Sequence, residues 1–281
     1  MTAVSLILLR IVGLVVLAYL GLVLLLAVFQ RSLIYLPGKA TAAELAGFAQ
    51  QRRMLPWTNA AGLRIGWKRP YTPGPATGAV LVMHGNAGTS VGREYLADPL
   101  QEALPLDVYV LEYPGYGDRP GAPSQVSLLA AAEEALALLG DRKPLYLIGE
   151  SLGTGPTTFL AGKAGDRIAG VLLLVPYNRL VEVAAVHYPW LPVRWVLRDP
   201  YPADEWLAKY AGPVAVVLAE EDEVIPARLG QALFDGYPGT KRVWIRPQAG
   251  HEDAIHQPAE WWSELGEFWG VPRRSASPSR P

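Results

Sequence analysis

Residues Gly149-Glu150-Ser151-Leu152-Gly153 form the pattern Gly-x-Ser-x-Gly. The apolar run Pro144 to Ile148 precedes it, and a segment with helical character, Leu152 to Ala164, follows it. A serine at a strand-to-helix corner is held in a tight turn with its hydroxyl pointing outward. Glycines two before and two after remove the Cβ atoms that would keep strand and helix apart. A serine hydroxyl is a weak nucleophile at neutral pH and needs a base within hydrogen-bond reach. Imidazole serves, because its ordinary pKa lies near physiological pH. The chain has four histidines: His84, His187, His251 and His256. His251, in Gln248-Ala249-Gly250-His251-Glu252-Asp253, is the candidate base. It sits between the strand-like run Lys241 to Ile245 and a helical pattern from Asp253 to Trp269.

An acid must orient that imidazole and stabilise its charged form. The buried-strand run Val214 to Ala219 ends in Glu220-Glu221-Asp222-Glu223-Val224-Ile225-Pro226. Asp222 is the candidate, a short carboxylate at a strand end ahead of Val-Ile-Pro, with Glu221 as the alternative. An oxyanion needs backbone N–H donors. The run Ala79 to His84 ends in the glycine-flanked turn His84-Gly85-Asn86-Ala87-Gly88. Asn86, or alternatively Ala87, is assigned the first donor and Leu152, next to the serine, the second. His84 lies at the end of the oxyanion strand and reads as a prop for that loop rather than as the base.

Jointly these segments resemble the α/β-hydrolases, and more narrowly their membrane-anchored group. The resemblance is carried by His84-Gly-Asn-Ala-Gly88, Glu112-Tyr-Pro-Gly-Tyr-Gly117, Gly149-Glu-Ser-Leu-Gly-Thr-Gly155, Glu221-Asp-Glu-Val-Ile-Pro226 and Ala249-Gly-His251. The chain order Ser151, Asp222, His251 is that of the family. It implies an α/β fold with a mostly parallel central sheet flanked by helices, and a serine hydrolase working through an acyl-enzyme. Relatives in the group include acyl-protein thioesterases, lysophospholipid and monoacylglycerol lipases, and bacterial proteins of unassigned substrate. Similar sequences often carry Arg where this one has Pro114, and Ser where it has Asp118-Arg119, so pocket polarity is expected to differ. Pro156 falls in the first turns of the helix after Ser151, where it removes a backbone donor and is expected to bend the helix.

The elements that must position these residues follow from periodicity. Thr41 to Gln50 reads as a short helix. Arg53 to Thr58 and Leu63 to Lys68 read as an antiparallel hairpin. Strands at 79–84, 107–112, 144–149, 169–175, 214–219 and 241–246 alternate with helices at 90–103, 124–139, after Ser151, 227–235 and 253–269. Such alternation implies a parallel sheet covered on both faces, with ligands at the carboxyl ends of its strands. The irregular stretch 177–212 is a lid-like insert, expected to form one or two helices edging the pocket. Its aromatic stretch His187 to Trp195 would line an acyl chain, rest on a bilayer or pack on the sheet.

Ile11 to Phe29 is an uninterrupted run of 19 residues without charge. As a helix it spans about 28 Å, close to the ~30 Å hydrocarbon core. A signal peptide has a shorter apolar core and a small-residue cleavage site, and Ala27-Val28-Phe29-Gln30-Arg31 lacks one. The expectation is an uncleaved single-pass anchor over 4–29, a catalytic domain over 31–270 and a disordered tail over 271–281. Arg10 flanks the run on one side and Arg31 and Lys39 on the other, so charge slightly favours the C-terminal flank inside, although a short N-terminus with one arginine is also compatible with being retained there. The family resemblance favours a periplasmic domain.

Composition narrows the partners. A net charge of −1 and no basic run leave nucleic-acid binding without support. No His/Cys cluster has zinc spacing and no Gly-x-Gly-x-x-Gly occurs, so neither metal nor cofactor is expected. The chain has no cysteine and therefore no disulfide. The expected partners are a small-molecule or lipid acyl substrate and the membrane, with oligomeric state open. A peptidase or amidase on the same fold, and a non-catalytic membrane protein with a relic site, are the alternatives.

Overall fold

The uncharged N-terminal run folds as one helix, α1 (Ala3–Ile34), 32 residues long in the computed structural model, which describes residues 3–142 and 144–271. At 1.5 Å per residue it is about 48 Å long. It is a candidate membrane span by length and composition. From Ala3 to Leu22 every residue is exposed. Beyond that, Val23, Leu26, Ala27, Gln30 and Ile34 are partly or fully covered. These follow the i, i+3, i+4, i+7 spacing of one stripe of a helix, and the stripe faces the rest of the protein.

Helix α2 (Ala42–Gln51) is started by Thr41, whose side chain accepts from the Glu44 N–H while the Glu44 carboxylate accepts from the Thr41 N–H. The hairpin β1 (Leu55–Thr58) and β2 (Arg64–Arg69) follows, antiparallel as expected. Pro56 is tolerated because β1 is an edge strand. The remaining strands of the main sheet are β3 (Gly78–Met83), β4 (Leu106–Leu111), β5 (Leu145–Glu150), β6 (Ile168–Leu174), β7 (Val214–Ala219) and β8 (Lys241–Arg246). They assemble in the order β8-β7-β6-β5-β3-β4-β2-β1, parallel from β8 through β4 and antiparallel over β4-β2-β1.

Central strands read as continuous apolar runs because both faces are covered. Leu81, Met83, Leu147, Leu173 and Val216 point into one core, and Val80, Val82, Ile148, Leu172 and Val217 into the other. Helices α3 (Glu94–Ala103), α4 (Gln125–Leu139) and α5 (Thr154–Lys163) cover the sheet with α9 (Ala227–Gly236) and α10 (Ala259–Trp269).

Several boundaries differ from expectation. The segment 90–103 is a short 3₁₀ turn, Ser90–Gly92, and then α3. The helix after Ser151 starts with the 3₁₀ turn Ser151–Gly153, so α5 begins at Thr154. Pro156 thus lies in the first turn of α5, where N–H groups lack the usual partner four residues back. The last helix begins at Ala259, not Asp253, because 251–255 is a turn and Pro258 precedes the first helical residue. The insert holds three short helices rather than one or two: α6 (Leu180–His187), α7 (Val193–Val196) and α8 (Ala203–Leu207). Val271, assigned to the tail, is buried and donates to the Gly266 carbonyl at 2.8 Å, closing α10. Residues 272–281, which carry the rest of that expected tail, lie outside the described residues.

Candidate active site

Strand β5 delivers Ser151 through a turn that strains the backbone. Ser151 has φ +52°, a left-handed conformation unusual for a residue with a side chain. The flanking glycines explain how this turn closes. A Cβ on Gly149 would lie 2.5 Å from Thr157 Oγ1, and one on Gly153 would lie 2.0 Å from the Met83 carbonyl oxygen. Both positions exclude any side chain because neighbouring atoms already occupy the space.

The three residues proposed for proton transfer meet at this corner although 71 and 100 positions separate Asp222 and His251 from Ser151 in the chain. His251 Nε2 is 2.9 Å from Ser151 Oγ, and His251 Nδ1 is 2.7 Å from Asp222 Oδ2. The other Asp222 oxygen accepts N–H bonds from Val224 at 2.9 Å and Ile225 at 2.7 Å. That is why the shorter carboxylate suits the position: its own turn clamps it. All three side chains are buried. Glu221, the alternative, is exposed.

The turn after β3 holds Asn86 beside Ser151 and Leu152, and all three line one cavity. Asn86 is fixed by three bonds. Its carbonyl accepts from Leu36 N–H (3.0 Å) and Tyr116 O–H (2.8 Å), and its amide Nδ2 donates to the Ile34 carbonyl (3.2 Å). Ala87 lines the cavity on the other side of the serine.

His84 is fully buried. Its Nδ1 lies 2.8 Å from the Gly85 carbonyl and its own carbonyl accepts from Tyr113 O–H at 2.7 Å. Burial pushes its pKa below the ordinary histidine value, against the raising effect of Glu112. It is a neutral brace under the loop, as expected. His187 contacts the Val224 carbonyl, and the His256 ring lies tilted against Tyr95 at 4.8 Å.

The loop 113–119 does not reach either cavity at Ser151, so the expected change in pocket polarity does not come from it. Arg119 is buried and spans from the Glu112 carbonyl to Glu134, while Asp118 pairs with Arg64.

Two cavities meet at the serine. One, of about 400 Å³, is mainly apolar and lined by Leu33, Ile34, Tyr177, Leu180, Val183 and Ile225 with others. The second, of about 370 Å³, is more polar and includes Thr89, Arg93, Glu150 and Glu252. Glu150 accepts from Tyr95 O–H at 2.5 Å and lies 3.4 Å from Arg93, which also bonds the Ala87 carbonyl. Burial opposes the Arg93 charge, yet the Glu150 carboxylate holds its pKa above the ordinary arginine value. Sequence reasoning missed the contributions of Arg93, Tyr95, Leu33 and Ile34. No motif marks them, and each reaches the site from an element remote in the chain.

The central sheet, the strained serine corner and the strand-end turns define an α/β hydrolase. Residues 78–208 match the family described as "alpha/beta hydrolase fold". The chain is 37% identical over 251 residues to uncharacterized protein Rv2307c of Mycobacterium tuberculosis, covering 87% of this chain and 88% of that one. It is 33% identical over 177 residues to the lysophosphatidylserine lipase ABHD12 of Danio rerio, covering 56% of this chain and 46% of that one. The chain therefore spans about half the length of that lipase. Among solved structures, the Pyrococcus furiosus esterase Pf2001 superposes with a TM-score of 0.64 at 14% identity, covering 84% of this chain and 97% of that one. Est1E from Butyrivibrio proteoclasticus superposes at 0.60 and 17%, covering 74% and 94%. The chain belongs to the α/β-hydrolase superfamily.

Proposed function

We propose that the protein is a membrane-anchored serine hydrolase of carboxylic esters that join an acyl chain to a polar alcohol. The observation that carries this reading is the bonded series Ser151–His251–Asp222 standing where an apolar and a polar cavity meet. An ester carbonyl at Ser151 then has one compartment for each of its two halves. The relative that is a lipase, ABHD12 of Danio rerio, supports the substrate class.

The steps follow from the geometry. Ser151 Oγ attacks the carbonyl carbon while His251 Nε2 takes its proton. Asp222 holds the proton on Nδ1 and stabilises the imidazolium. The tetrahedral oxyanion faces the N–H groups of Asn86 and Leu152. The C–O bond to the alcohol then breaks, and His251 returns its proton to the leaving oxygen. Water, deprotonated by His251, cleaves the acyl-enzyme by the same route. Thioesters undergo the same steps with a thiol leaving group.

The proposal includes an uncleaved α1. Gln30, Arg31 and Tyr19 all bond to the insert. Removal of residues 1–30 would leave the Val196 carbonyl and the Arg198 N–H without Gln30, and the Trp190 carbonyl without Tyr19.

Rates with p-nitrophenyl esters of increasing chain length, matched thioesters and amino-acid amides test the reading. Ester or thioester turnover far above amide turnover is expected, with loss of about 10⁶ in kcat on Ser151→Ala. Substantial esterase activity in Ser151→Ala would reject Ser151 as nucleophile. Preference for amides would favour the peptidase alternative.

A further inference from the structure

The apolar cavity at Ser151 does not end under the insert. Leu33, Ile34, Ala184, Tyr188 and Leu197 line it and also line a second, narrower space of about 80 Å³. That second space is a slot with two walls. Val23, Leu26 and Ala27 of α1 form one, and Leu191, Val193 and Val196 of the insert form the other. Its lining is almost wholly apolar; Gln30 is its one strongly polar member, and both ends of that side chain are engaged. Gln30 Nε2 donates to the Ala27 and Val196 carbonyls, and its Oε1 accepts from Arg198 N–H.

The walls are held together at both ends. Near the domain, Arg31 makes two bonds to Asp199, at 2.9 and 3.1 Å, and Tyr35 O–H donates to the same carboxylate. Farther along α1, Tyr19 O–H donates to the Trp190 carbonyl at 2.8 Å. Val23, Leu26 and Ala27 belong to the uncharged run 11–29 that is long enough to cross a bilayer. Around the slot, Trp195 is 90% exposed, Trp190 50% and Tyr188 40%. These rings stand beside Tyr19 to Ala27, inside the uncharged run, and present apolar surface that lipid can cover. A slot with a membrane helix for a wall opens toward lipid, not toward water.

We infer that the acyl chain of a single-chain lipid reaches Ser151 laterally from the bilayer, along a slot between α1 and the insert, with α1 serving as part of the acyl-binding site as well as the anchor. This rests on the ester-hydrolase reading above. It assigns the occupant of the slot as one acyl chain, because the space is narrow and leads to the nucleophile. A chain seated there passes Leu33 and Ile34 and presents its carbonyl at Ser151, with the polar alcohol on the Arg93 side. The same arrangement makes short, water-soluble esters independent of the slot, since they fit in the catalytic cavity alone.

The full-length protein in lipid nanodiscs is treated with a long-chain fluorophosphonate that carries a diazirine at its far end. After the phosphonate has bonded to Ser151, light fixes the chain end, and peptide mapping locates it. Crosslinks within 19–30 or 188–197 are expected. Crosslinks confined to the Thr89 or Glu252 side would overturn the slot. Failure of the probe to label wild-type protein at Ser151 would remove the hydrolase reading itself, and the slot with it. In parallel, Ala27→Trp fills the slot outside the catalytic cavity. The ratio of kcat/KM for a long-chain monoacyl ester to that for p-nitrophenyl acetate should fall at least tenfold. An unchanged ratio in a folded, probe-reactive variant refutes the inference.

Discussion

Asp222→Asn is the sharpest probe of the proposed proton relay, because the fold dictates which way the new amide points. Asp222 Oδ1 accepts from the N–H groups of Val224 and Ile225, and those donors stay in place. In the variant the amide oxygen takes that position, so its NH₂ faces His251 Nδ1. Two donors cannot face one another. The imidazole must therefore present its lone pair at Nδ1 and its proton at Nε2, toward Ser151. In that tautomer it cannot accept the serine proton. Restoring the working tautomer leaves a buried donor unpaired, at about 1–3 kcal/mol. The imidazolium also loses its carboxylate, worth about 4 kcal/mol for unit charges about 4 Å apart at an effective dielectric of 20. Together these come to about 5–7 kcal/mol, or about 10⁴–10⁵ in kcat at 1.36 kcal/mol per decade. The side chain keeps its shape, so stability should change little. The assay is p-nitrophenyl ester turnover, paired with a melting curve and the rate of fluorophosphonate labelling of Ser151. Turnover within tenfold of wild type, in a variant that melts normally, would refute the role given to Asp222.

Other outcomes follow from the same geometry. Gly153→Ala places a Cβ against the Met83 carbonyl, which cannot yield as a flexible side chain would. It should cost about 3 kcal/mol or more and lower the melting temperature by about 6–12 °C; an unchanged melting curve would contradict the packing at the serine corner. His84 has a depressed pKa in the folded state, so the unfolded chain binds the extra proton first as pH falls. Its contribution to stability is full above the unfolded value of about 6.5 and declines below it, by up to about 1.4 kcal/mol per pH unit. Denaturant titrations of wild type and His84→Phe between about pH 7.5 and 5 should therefore differ in slope, and parallel curves would exclude a neutral buried His84. Asp199→Ala removes the carboxylate that joins Arg31 and Tyr35. Because the Arg31 side chain is 44% exposed and regains water, the loss should be modest, about 1–2 kcal/mol. Faster limited proteolysis between α1 and α2 in detergent would register it, and unaltered cleavage would show that α1 docks without this pair.

Much of the architecture could be read along the chain. The eight strands of the sheet were anticipated to within about two residues, since buried parallel strands and alternating hairpin strands leave distinct patterns. Helix starts were less legible where local rules compete. Pro258 delays α10 past the apolar pattern that seemed to begin at Asp253, and the serine corner spends three residues in a 3₁₀ turn before α5. The insert 177–212 was the least legible stretch. Its short helices have too few turns for periodicity to register, and their stability comes from contacts with α1 and α5 rather than from their own sequence.

What the residues alone determined was the list of chemical parts. A serine between two glycines at a strand's end, an acid before Val-Ile-Pro and a histidine after Ala-Gly can be named from local pattern, because each turn has its own steric demands. The meeting of Ser151 with His251 at 2.9 Å depends on strand order. So does the reach of Arg93 and Tyr95 to Glu150, and so does the stripe of α1 that closes over the insert. Those contacts join residues tens to more than a hundred positions apart. Only the packed sheet, which sets several strand ends side by side, brings them within bonding distance, and no local sequence rule carries that information.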